Sequence, residues 1–143
     1  MQTFVPYDDF AMSARALDYR RLGKQRVEAL QILQSLTPIE GRKHHGWRNH
    51  PATRMWENNV DGLAAYGIAI CEEWIARGYK DTVRGKILDA FSPDPLDLPF
   101  WWGDERVHSS HRANLLRKDF DFYKQHGWVE DPQMPYVWPQ PVG

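Results

Sequence analysis

The sequence predicts an all-α protein: a single compact helical domain of about three to five helices over residues 1–143, with an extended N-terminal arm (1–7) and an extended, Pro-rich tail (129–143). Two observations predict it. Apolar residues recur at spacings of three and four over long stretches, which gathers them on one side of an α-helix. No strand-rich region competes with them. The length, 143 residues, suits one domain with one core.

Residues 2–7 are mostly apolar, with Pro6 near the end, and read as the arm. Residues 9–36 read as one long helix or two, with Ser13 a candidate cap for the first turn. There Leu22, Val27, Leu30 and Leu33 share a flank, and Arg20, Lys24 and Glu28 follow at i, i+4 on another. Gly23 costs about 1 kcal/mol against Ala and marks a close helix contact or a break. Thr37-Pro38 ends the pattern, since a residue before proline disfavours helix. A polar loop covers 39–51. Helix resumes near Ala52, and Met55, Trp56, Val60, Leu63, Tyr66, Ile70 and Trp74 make it the expected central core helix, with Gly78 positioned to stop it.

A shorter helix is expected from Thr82 to Ala90. Ser92-Pro-Asp-Pro95 and Leu98-Pro99 then force an irregular connection ending in Phe100-Trp-Trp102. The last helix is expected to start near Ser109 or Ser110, either of which could cap it, and to run to about His126, where Gly127 stops it. The tail from Asp131 carries four prolines and two aromatics and is expected to pack through Tyr136 and Trp138.

Seven tryptophans and 13% aromatic residues supply large buried surfaces or a binding face. The net charge is −1, which argues against non-specific duplex binding. The distribution is less even: +4 over residues 1–56, −6 over 57–105 and +1 over 106–143. Such asymmetry can build one positive face on a nearly neutral molecule. The single cysteine, Cys71, rules out an internal disulfide and sits in an apolar run as a buried small hydrophobe. No signal-peptide pattern and no 18-residue apolar stretch appear, so a soluble cytoplasmic protein without membrane contact is expected.

Arg20, Arg21, Lys24 and Arg26 place four cations within seven residues of a helix with an apolar side. Such a face could hold a phosphate backbone, or it could be a solvated face whose stems cover apolar neighbours. His44-His-Gly-Trp-Arg-Asn-His50 offers a ring for stacking and donors for phosphate, although Trp47 could equally anchor the loop to the core. The histidine spacing matches no zinc pattern, so no metal or other cofactor is expected. At His108-Ser-Ser-His111, with Arg112 beyond, a helix N-terminus would favour an anion; the serines could instead act only as caps.

Three blocks carry a family resemblance. They are Leu17-Asp-Tyr-Arg-Arg-Leu-Gly-Lys-Gln-Arg-Val-Glu28, Gly46-Trp-Arg-Asn-His-Pro-Ala-Thr-Arg-Met-Trp56 with Arg77-Gly-Tyr79, and His108-Ser-Ser-His-Arg-Ala-Asn-Leu-Leu-Arg-Lys-Asp119 with Tyr123 and Gly127-Trp128. In order and spacing the chain resembles the pyrimidine-dimer DNA glycosylase (endonuclease V) family, in a divergent bacterial branch. The resemblance implies an all-α domain with its N-terminal segment threaded between helices. It also implies a bifunctional reaction on DNA. An N-terminal amine attacks the sugar C1′, the base leaves, and a Schiff base permits strand cleavage, with base extrusion accompanying it. α-Amino groups generally titrate near pH 8, so a useful fraction is neutral at about pH 7.

In the family's motif a Thr exposed by removal of the initiator supplies the amine. Here Gln2 is bulky, so Met1 is expected to be retained and to offer its own amine. The family's catalytic Glu falls at Arg21, a guanidinium with no acceptor. Glu28, Asp18 and Glu57 are the candidate replacements. The expected catalytic residues are therefore Met1, Arg20, Arg21 and Glu28. The expected nucleic-acid contacts are Lys24, Arg26, Trp47, Arg48, His50, His108, His111 and Arg112. The substrate expected is a damaged or modified pyrimidine in DNA. A non-catalytic nucleic-acid binder and an enzyme for a small nucleotide or phosphate-bearing ligand remain as other readings, since a scaffold does not fix its chemistry.

Overall fold

The computed structural model describes residues 1–37 and 46–139. His44, His45 and most of the loop expected at 39–51 lie outside them, as do the last four residues of the tail. Asp9 opens the first helix, α1 (Phe10–Ala16), by accepting from the Met12 amide at 2.7 Å. Ser13 is therefore not the cap. It is buried, and its hydroxyl accepts from Tyr7 N at 3.2 Å and donates to Tyr7 O at 3.0 Å.

Asp18 then caps α2 (Tyr19–Leu36), so the 9–36 stretch is two helices. The expected core helix is likewise split, into α3 (Pro51–Arg54) and α4 (Val60–Ala76). α5 covers Val83–Ala90. Asp104, accepting from Arg106 N at 3.1 Å, starts α6 (Glu105–Lys118). The start expected at Ser109 or Ser110 is corrected by this: both serines lie inside the helix, and no free N–H groups face an anion there. Asp119 breaks the last segment and caps α7 (Phe120–Tyr123), followed by a 3-10 turn, Lys124–His126. The described residues thus hold seven α-helices and no strand. The class is as expected; the count exceeds three to five because aspartates at 18 and 119 offer carboxylates that take over amide donors mid-pattern.

α2 and α4 form the centre of the core, with α1 and α5 against α4. α2 buries Leu22, Ala29, Ile32 and Leu33; α4 buries Leu63, Ala64, Tyr66 and Ile70; Trp56 and Trp101 fill the space beside them. Gly23 marks a close contact rather than a break: a Cβ there would lie 3.0 Å from Trp74 Cη2. α4 stops where expected, with Gly78 at φ 95° beyond Arg77. No helix among the described residues is long and apolar enough to cross a membrane.

Candidate active site

The N-terminal arm runs through the protein interior. Gln2, Thr3, Phe4 and Val5 are buried, and side chains from four regions meet most of their polar groups. Trp56 Nε1 donates to Thr3 Oγ1 at 3.0 Å. The Tyr66 hydroxyl, with one proton, lies between Phe4 O at 2.8 Å and Gln25 Oε1 at 2.7 Å. From α6, His111 Nδ1 accepts from Val5 N at 3.0 Å and His108 Nδ1 lies 2.8 Å from Val5 O. Arg112 donates to Pro6 O at 2.8 Å. Extended backbone cannot be buried without such partners, so these contacts fix the route by which Met1 reaches its place.

That place is a cavity of about 770 Å³. The arm contributes Met1, Gln2 and Phe4. The start of α2 contributes Asp18, Tyr19, Arg20, Arg21, Lys24, Gln25 and Glu28, and Lys118, Asp119, Phe122 and Tyr136 close the other side. Gln25 binds the arm to the helix: its Oε1 accepts from Phe4 N at 2.9 Å, and its Nε2 donates to Gln2 O at 2.8 Å and to Glu28 Oε2 at 2.7 Å. Four cations, Arg20, Arg21, Lys24 and Lys118, line the same space. Burial, and then the charges of Arg21, Arg117 and Lys24, hold the Lys118 ammonium below the usual lysine range.

The three candidate carboxylates separate by their partners. Asp18 is committed: it caps α2, accepts the Tyr123 hydroxyl and pairs with Arg21 Nη1 at 3.2 Å. Burial raises its pKa, but the Tyr123 and Arg21 hydrogen bonds outweigh this and hold it below the usual carboxylate range. Glu57 pairs with Arg48 at 3.4 Å and does not line the cavity. Glu28 lines it, half-buried, with only Gln25 on one of its oxygens among the hydrogen bonds and ion pairs of the described residues.

A family profile described as pyrimidine dimer DNA glycosylase matches residues 1–86. The chain belongs to the pyrimidine dimer DNA glycosylase family. No curated protein and no solved structure matches it. The matched span holds the arm, α1 to α4 and the cavity's α2 wall. The far wall, Lys118 to Tyr136, lies beyond it.

In this glycosylase-family chain the cavity brings together Met1, Arg20, Arg21, Lys24 and Glu28 of the residues expected from sequence. The others stand elsewhere. Arg26 pairs with Asp81 at 2.5 Å and lies 4.5 Å from the Trp74 ring centroid, tying α2 to the start of α5. Arg48 is exposed beside Glu57. Trp47 is 40% exposed and edge-on to His50, whose Nδ1 caps α3 at Ala52 N, 3.0 Å away. Burial, and then the positive charge of the N-terminus, lower the His50 pKa, and the imidazole does not line the cavity.

His108 and His111 each turn Nδ1 to Val5 of the arm; Gly103 N donates to His108 Nε2 at 3.1 Å, while His111 Nε2 is buried without a hydrogen-bond partner among the described residues. The His111 ring accepts the Val5 N–H and is neutral, its pKa lowered to about 3 by burial and then by His108. Arg112 is neutralised by Glu105 and by Glu130 at 3.0 Å.

Sequence reasoning missed Gln2, Gln25, Lys118 and Tyr136 as cavity residues. For Gln25 a signal existed, since it is a polar residue on the buried flank of α2 between Leu22 and Ala29. Among the described residues no group of three or more His, Cys, Asp or Glu could hold a metal ion.

Proposed function

We propose that this protein is a DNA glycosylase acting on a damaged or modified pyrimidine, with the Met1 α-amine as nucleophile and Glu28 as the assisting carboxylate. One observation carries the reading: Met1 and Glu28 line a single cavity together with four cations. Arg21 stands where the family's motif has its acid. Glu28 follows it by seven residues, two helical turns, and so lies on the same face of α2. A carboxylate is thus available to the cavity although the motif position is a guanidinium.

In the reaction the neutral amine attacks C1′ and the C1′–N1 bond breaks with its electron pair going to the base. The departing base takes up the proton that the amine loses. Ring opening gives the imine, and loss of a C2′ proton expels the 3′-phosphate. Glu28 stabilises the cationic character that develops at C1′. Arg20, Arg21, Lys24 and Lys118 meet the phosphates on either side of the extruded nucleotide.

Borohydride trapping tests this on duplexes carrying a cyclobutane pyrimidine dimer, other pyrimidine lesions, or a preformed abasic site. The expected result is a covalent adduct mapping to Met1, abolished when one residue is added before Met1. No adduct on any duplex, together with no abasic product, overturns the proposal.

A further inference from the structure

The Gln2 carboxamide is 4% exposed and lines the cavity beside Met1. Its Oε1 accepts from Thr3 N at 2.9 Å, which fixes the amide's orientation and turns Nε2 the other way. Nε2 is buried, and among the described residues it meets no acceptor. The Tyr136 hydroxyl stands beside this amide, whose N–H slightly lowers the Tyr136 pKa as a donor would, but the pair falls short of normal hydrogen-bond geometry. A buried amide donor left unpaired is disfavoured, and folded chains keep one chiefly where something else will meet it.

We propose that Gln2 Nε2 donates to the O2 carbonyl of the pyrimidine being excised. The inference rests on the glycosylase reading above and adds a contact to the base that it lacks. Gln2 is one peptide bond from the attacking nitrogen. Once that nitrogen engages C1′, the nearest acceptor on a pyrimidine is O2, next to the glycosidic N1. As the C1′–N1 bond breaks, its electron pair passes to N1 and delocalises onto O2. An N–H donor at O2 therefore strengthens its bond as the base departs, which accelerates the step. Tyr136, pushed up to about 12 mainly by burial, keeps its proton and supplies a second donor on the same side.

The test uses Gln2→Glu and Gln2→Met. Both leave a bulky second residue, so the first residue is processed as in the wild type. The glutamate variant keeps the acceptor for Thr3 N, loses the donor and adds a negative charge; the methionine variant loses donor and acceptor without adding charge, so an effect shared by the two is not one of charge. Cleavage of the C1′–N1 bond is measured on a duplex with a cyclobutane pyrimidine dimer as base released after photoreversal, because the cyclobutane ring otherwise keeps the cleaved base attached to its neighbour. Trapping is measured on a preformed abasic duplex as a function of pH and compared where the rate of each variant no longer rises with pH.

Both variants are expected to release base about 100-fold more slowly, with trapping within twofold of wild type. Wild-type base release by Gln2→Glu, or trapping that falls in step with release, overturns the inference and leaves Gln2 a support for the arm. A wild type that traps abasic DNA but releases no pyrimidine overturns the inference alone. A wild type that does neither overturns the glycosylase reading as well.

Discussion

Gln25 and Glu28, neighbours on α2, are joined by a 2.7 Å hydrogen bond from the Gln25 amide to a Glu28 oxygen. The same amide holds Gln2 O and Phe4 N of the arm. The position of the chain's first residues and the position of the carboxylate proposed to assist them are thus set by one buried side chain. Both of its N–H groups and its carbonyl oxygen are used, so the amide cannot be reversed without opposing like groups.

Gln25→Leu is therefore expected to destabilise the fold through the partners it abandons. Phe4 N and Gln2 O would be left buried without a partner at roughly 1–3 kcal/mol each. Urea denaturation should show a loss of about 2–5 kcal/mol, against a fraction of that for a substitution at exposed Lys24. A loss below about 1 kcal/mol would mean the arm finds other partners.

Glu28→Gln tests the carboxylate with the fold kept. The side chain is half-buried, and its oxygen still accepts from Gln25 after the change. Base release should fall on the order of 100-fold, the usual effect of removing one group that stabilises transition-state charge. Glu57→Gln, outside the cavity, should leave release unchanged. Equal effects of the two substitutions would remove Glu28 from the mechanism.

The all-α class was legible because periodicity is local: Leu22, Leu33, Leu63 and Ile70 announce their helices within a few turns. The close contact at Gly23 was legible as one of two options. The site was only half legible. The α2 face showed its cations and Glu28 in one segment, but the arm's partners His108, His111 and Arg112 lie more than 100 residues away along the chain. Histidine and arginine near serines look like an anion site when the helix start is set at Ser109. Asp104 sets it earlier, and the same residues become the arm's clamp. Arg26 had the same spacing as its cationic neighbours; only the position of Asp81, fixed by α4 and α5, shows which way it turns.

Arg26 and Lys24 should separate stability from binding. Arg26 pairs with Asp81, whose side chain is fully buried and also accepts from Val83 N at 3.2 Å and Arg84 N at 2.8 Å. Arg26→Ala leaves that charge short of its guanidinium and should cost about 2–4 kcal/mol, with DNA affinity unchanged. Lys24→Ala should leave stability within about 0.5 kcal/mol and lower the slope of log affinity against log salt by roughly one. Denaturation curves and salt titrations of duplex binding read both quantities; a normal salt slope for Lys24→Ala would take that lysine off the phosphate path.

The His111 contact makes stability depend on pH. Unfolded, the imidazole titrates near 6.5; in the fold, burial and then the neighbouring His108 lower it to about 3. Between those values the unfolded chain binds the proton and the folded chain does not. The contribution of His111 is therefore complete above about pH 6.5 and is lost progressively as pH falls towards 3. The slope from this one group approaches about 1.4 kcal/mol per pH unit inside the window. His111→Asn keeps an acceptor at the Nδ1 position for Val5 N and cannot titrate. It should begin less stable at pH 7, since the smaller side chain leaves space between Phe4 and Tyr136, and should then lose stability with acid less steeply than the wild type. Parallel stability curves for the two proteins from pH 4 to 7 would show that His111 takes up its proton in the fold as readily as in the unfolded chain, and that the arm is not held by a neutral ring.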